Sequence, residues 1–239
     1  MRSWIHYVPI VTTFFATFFA VVMFRRWRER RGTHVLWWAI GMVSYAAGTL
    51  TESLTTLIGW QEPVFRAWYI TGALLGGMPL AQGSAYLHLS SRAATRWAVA
   101  VCTVVVIASA LVILSPIDVT AIEPHRLSGR VLELSWVRLF SPFVNTYALL
   151  FLVGGAIASA VKFRRDPALG HRFLGNVGIA VGGLLPGIGG AFTRAGHVEV
   201  LYVTELVGLL LIYVGYRLNV REATPTGRTA RMIQVPQPT

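Results

Sequence analysis

A few charged residues interrupt stretches that are otherwise apolar, and their types suit a polar site inside a membrane. In GTLTESLTTLIGWQEPVFRAWY, Gly48 to Tyr69, Glu52 closes one apolar segment and Arg66 opens the next. A charge inside hydrocarbon costs at least about 2.5 to 3.5 kcal/mol, so such residues face a bundle interior, find partners and mark function. Antiparallel helices joined by a short loop bring Glu52 and Arg66 to similar depth, as expected neighbours. Nearer the C-terminus, HVEVLYVTELVGLL sets Glu199 at the mouth of a segment and Glu205 about two turns deeper, roughly 10 Å at the helical rise. Tyr202 and Glu205 are three apart and share a helix face. Arg138 and Arg194 stand at neighbouring outer ends, and Asn145 and Asn176 add uncharged polar groups. One outer-half pocket of Glu52, Arg66, Tyr69, Arg138, Asn145, Tyr202 and Glu205 is therefore expected, for a small polar or amphiphilic ligand or a proton. The competing reading is architectural: Arg66, Arg138 and Arg194 snorkel into headgroups, and Glu52 with Arg66 is a helix-pairing salt bridge. Glu205 is too short to snorkel from its depth.

The elements that must position these residues follow from composition. The 239 residues are 54% hydrophobic and 13% charged, with mean hydropathy +0.58. A soluble globule is roughly a quarter charged, so the chain is expected to be an all-α integral membrane protein lying in the lipid bilayer. A window of about 19 residues gives seven spans, at 5–24, 34–57, 67–89, 97–114, 139–161, 173–193 and 198–216. The first lacks a cleavage site after it and reads as a retained span. Loops kept in the cytoplasm accumulate Lys and Arg. Fifteen basic residues fall on the face of the first, third and fifth loops and the tail, against six on the other. The amino terminus is therefore expected outside and the carboxyl end inside, with 221–239 a disordered cytoplasmic tail. The external loop from Ser115 to Arg138 contains LSGRVLELSW, whose alternation suits a short strand or a surface helix equally. Abundant Arg beside a single Lys points to a bacterial plasma membrane.

Glycine and proline mark two further places. GGMPLAQG in the third span and GGLLPGIGG in the sixth each put a proline near mid-membrane, so Pro79, Gly182, Gly183 and Pro186 are candidate hinges. Paired interrupted helices are a pointer to transporter sites. The same glycines obey the small-xxx-small spacing that lets helices approach closely. Aromatic residues, Trp68 among them, gather at span boundaries as interface belts.

Several chemistries are disfavoured. The charge of +11 is segregated between apolar segments, which suits topology and not nucleic acid. Cys102 stands alone, so neither an internal disulfide nor a multi-Cys metal site is available. His88 reads as a satisfied side chain on an apolar stretch, and no histidine pair has metal spacing. The final span has no lysine for a retinal Schiff base. No hydrolase, protease or phosphate-loop motif is present, so no cofactor, metal or enzymatic activity is expected.

The order of features resembles the seven-span amino-terminal sensor region of bacterial histidine kinases. The resemblance is carried by the first inner loop RRWRERR, by VLWWAIGMVSYAAGTLTES ending in an acid, and by FRAWYITGALLGGMPLAQGSAYL, which opens on a basic and aromatic cluster and contains a mid-helix proline. It covers about Met1 to Val220. It implies sensing of an outer ligand or membrane state, with the signal passed inward through the seventh span. Those regions feed an output module, so a cytoplasmic signalling partner is expected here.

Overall fold

A backbone in hydrocarbon must satisfy its own hydrogen bonds, and long apolar runs do so as helices. A computed structural model describes residues 4–124 and 126–220. Among these residues there is no strand, only isolated bridges between Ile117 and Leu132 and between Glu123 and Arg126. Five helical stretches are long and apolar enough to cross a membrane: Trp4–Arg30, Ser91–Leu114, Ser135–Phe163, Pro167–Thr193 and Val198–Asn219. The chain is thus an all-helical, multi-pass membrane protein.

The first pair shows how the sequence sets its elements. Helix α1 (Val8–Arg30) opens with a proline in its first turn and ends at Arg31. Arg31 adopts a left-handed conformation with φ 52° and donates its amide to Trp27 O. The chain reverses there into α2 (Thr33–Ile58), 26 residues long, or about 39 Å at the helical rise. Length suffices for α2 to cross, but its second half, with TLTESLTT, dilutes the hydropathy. Those hydroxyls are nonetheless buried, because four of them turn back onto their own helix, while Thr56 donates to His6 O at 3.1 Å. Thr49 donates to Tyr45 O, Thr51 to Gly48 O, Ser53 to Thr49 O and Thr55 to Thr51 O.

The third expected span is interrupted. Helix α3 (Glu62–Trp68) passes into a π-turn, Tyr69–Leu74, and after a break at 75–77 the chain resumes as α4 (Met78–His88), with Pro79 in its first turn. Proline lacks a donor and suits a helix start, so the interruption falls just before Pro79. At the π-turn Ala73 O accepts from Ser141 Oγ at 3.0 Å and from Asn145 Nδ2 at 3.3 Å. Helix α5 (Ser91–Leu114) follows, capped by Ser90 Oγ accepting from Ala93 N. Helices α6 (Phe140–Ala148) and α7 (Gly155–Phe163) continue through a second π-turn, Leu149–Gly154.

Helix α8 (Gly170–Arg194) runs unbroken through Pro186 and packs along α9 (Val198–Asn219). At Gly182, a candidate hinge, α8 packs closely on α9. A Cβ on Gly182 would lie 2.5 Å from Gly208 O, and one on Gly208 would lie 2.6 Å from Gly182 O. Gly183 faces Leu152 and Val153, and Pro186 packs on Gly208. Of the two proline motifs, only the one in the third segment lies at a break.

The loop from Ser115 to Arg138 is neither the strand nor the surface helix that its alternation allowed. It folds as short 3-10 turns whose Leu127, Val131, Leu132 and Val137 are buried against Phe65, Tyr69, Ala108 and Val112. The result is a second small core at this end of the bundle. The main core joins Phe19, Met23, Met42, Tyr45, Met78, Tyr147 and Leu209 from most of the long helices, while Phe14, Val99, Val106 and Leu150 point outward. The tail expected to be disordered, 221–239, lies outside the described residues.

Candidate functional site

Glu52 lies on α2 between buried Thr51 and Ser53 and is 4% exposed. Its Oε1 accepts a hydrogen bond of 3.1 Å from the Trp68 indole at the end of α3. The Glu205 carboxyl, projecting from α9, faces Glu52 within hydrogen-bonding reach. The Oε2 atoms of both residues are enclosed and meet no donor among the described residues.

Aromatic groups close the site. Tyr45, two turns along α2 from Glu52, donates its hydroxyl to Glu205 O at 2.9 Å. Tyr202 is buried one turn from Glu205, and its hydroxyl lies within electrostatic reach of both carboxyls. The Tyr202 ring meets His6 edge to face, with centroids 6.2 Å apart. His6 Nε2 in turn lies 3.7 Å from Glu199 Oε1, and the Glu199 side chain is 40% exposed. A line of polar side chains thus leads from solvent at the end of α9 toward the carboxyl pair. On the α1 side, Thr13 Oγ1 donates to Thr49 Oγ1 at 3.0 Å and lies 3.4 Å from Ser53 Oγ.

Of the residues expected in one pocket, the fold brings together Glu52, Tyr202 and Glu205. Arg66 pairs instead with Glu62, at 2.7 Å from Nη2 to Oε1, and donates to Val112 O and Ser115 O where α5 ends. Glu62 lies one turn before it on the same helix, while Glu52 turns toward Trp68, so the expected Glu52–Arg66 neighbourhood does not form. Tyr69 is buried in the second core, where its ring is the nearest obstacle to a Cβ on Gly129. Arg138 donates to Ser135 O, and Asn145 supports the π-turn. Asn176 binds Arg172 O and Asn219 Oδ1 at the far ends of α8 and α9. His88 meets Ser84 O and Ser159 Oγ through its two ring nitrogens, as a satisfied histidine does.

Tyr45, Trp68 and His6 join the site without having been expected there. Tyr45 carried a usable signal, since seven residues return a helix to nearly the same face. Trp68 did not, because an aromatic at a span end looks the same in a belt and in a site. Among the described residues no cluster of three His, Cys, Asp or Glu could hold a metal. An open apolar groove of about 530 Å³ lies elsewhere, between α2, α4 and α5, and includes Trp37, Met78, Pro79 and Cys102. The carboxyl pair is not among its lining residues.

No protein-family model matches the chain, and neither does any curated protein or solved structure.

Proposed function

We propose that the protein is a receptor-like, ligand-binding membrane bundle of seven helices, with its amino terminus outside and its carboxyl end inside. In this reading α2 and the interrupted segment 62–88 supply two spans beside the five apolar ones. The charge distribution between loops supports the orientation, and the arginine-rich sequence supports a bacterial plasma membrane. The observation that carries the function is the buried Glu52–Glu205 pair, two acids from distant helices held in contact and roofed by Trp68, Tyr45 and Tyr202. Burying two carboxyls side by side is costly unless something compensates them. A site whose occupant supplies that compensation turns the cost into a binding signal. Occupancy then alters how α2 meets α9, and the far end of α9, with Arg217, faces a cytoplasmic signalling partner.

Purified protein melted against small polar and amphiphilic compounds, lipids and buffers of different pH tests this reading. Ligand-dependent stabilisation that disappears in Glu205→Gln is the expected result. A flat response with a merely less stable variant would make the pair architectural, as in an assembly subunit. A small proton- or ion-coupled transporter would add net flux in liposomes, lost in Glu205→Gln. The unbroken α8 weakens the paired-hinge basis for that alternative.

A further inference from the structure

We infer that the Glu52–Glu205 pair is a proton-binding site, reached from the outer face past Glu199, His6 and Tyr202. This inference rests on the proposed binding function and names the occupant of that same site.

A hydrogen bond between two carboxyl groups needs one proton, because two carboxylates offer only acceptors. Two like charges in contact, away from water, repel strongly and do not both persist. A cation could relieve the repulsion, but the neighbouring arginines are engaged elsewhere. Arg66 is bound to Glu62 and to the carbonyls ending α5. Arg126 places Nη1 on Glu123 and Nη2 on Thr193 O. The groups facing the pair are Tyr45 from α2, Trp68 from α3 and Tyr202 from α9. Glu199, His6 and Arg126 stand farther out. Among the described residues, no arginine or lysine pairs with either glutamate. Glu52 is more than nine-tenths buried with Oε2 unpartnered, beside the equally unpartnered Oε2 of Glu205. A proton occupies no volume and completes this contact.

The exchange is simple. Water at the outer mouth supplies the proton, an O–H bond forms on one carboxylate, and release returns the proton to water by the same line of side chains. When it leaves, two negative charges confront each other across the α2–α9 joint, which the Tyr45 hydroxyl ties to Glu205 O. Deprotonation therefore pushes the joint apart, and protonation closes it.

Infrared difference spectroscopy on the intact protein in lipid nanodiscs, titrated from acid to alkaline pH, reads the proton directly. The expected result is a protonated-carboxyl C=O band that disappears on deprotonation and is absent in both Glu52→Gln and Glu205→Gln. Should a Gln variant fail to fold, Glu205→Asp keeps the carboxyl on a shorter arm and is expected to shift the midpoint of the band. A pH-independent carboxyl spectrum, unchanged by either substitution, would overturn the inference. If compound-dependent stabilisation lost in Glu205→Gln survived that result, the binding function would stand while the proton site fell. A titrating band without any compound response would support the proton as occupant.

Discussion

Arg66 and Trp68, two positions apart on α3, divide the work that the sequence suggested for Arg66 alone. Arg66 acts on helix ends: its guanidinium meets Glu62 one turn away and the last carbonyls of α5, where a cation complements the helix dipole. Trp68 supplies the donor that Glu52 uses. Arg66→Gln is therefore expected to destabilise this end of the bundle by about 1 to 2 kcal/mol while leaving the carboxyl titration in place. Trp68→Phe is expected to move that titration, because the remaining Glu52 oxygen loses its partner. Thermal melts paired with infrared titration of both variants separate the two roles. The sequence made Glu52 and Glu205 legible through burial cost alone, since acids in apolar runs are rare. It could not make their mutual contact legible, because that depends on how α2 and α9 meet across 152 intervening positions. Opposite charge favoured Arg66 as the partner on paper, yet a nearer acid, Glu62, was available.

Helix length and apolarity were the most readable features: five of the expected spans fall within the long apolar helices, which overrun them by up to six residues. Continuity was harder to read. The proline motifs in the third and sixth segments look alike, but the break before Pro79 follows a π-turn, whereas Pro186 sits inside a helix whose glycines lock it to α9. Nothing local distinguishes these outcomes; the partner helix does. The Gly182 and Gly208 backbones approach so closely that a side chain on either meets the other's carbonyl. Gly208→Leu is expected to cost about 1 to 3 kcal/mol through forced separation of α8 and α9, measurable as a lower melting temperature in detergent. The loop from Ser115 to Arg138 also escaped a period-based reading. Its buried Leu127, Val131, Leu132 and Val137 follow turns rather than a helix or strand repeat.

For the molecule as a whole, the proposed orientation makes the loop around Arg130 external and that around Arg164 cytoplasmic; both side chains are exposed. In a Cys102→Ala background, Arg130→Cys is expected to react with a membrane-impermeant maleimide in intact cells, and Arg164→Cys only after permeabilisation. The reverse pattern would invert the bundle. The hydroxyl-rich half of α2 carries a different consequence, for biogenesis. Thr49, Thr51, Ser53, Thr55 and Thr56 are buried within the bundle, and the Thr13 side chain of α1 reaches Thr49 directly. A helix so polar along half its length is a weak client for the insertion machinery when it emerges alone, and α1 is the neighbour already in place to receive it. Synthesis in chain order thus hands α2 a ready-made polar seam, so the two helices enter the bilayer as a hairpin and leave the lipid facing α1's phenylalanines rather than α2's threonines.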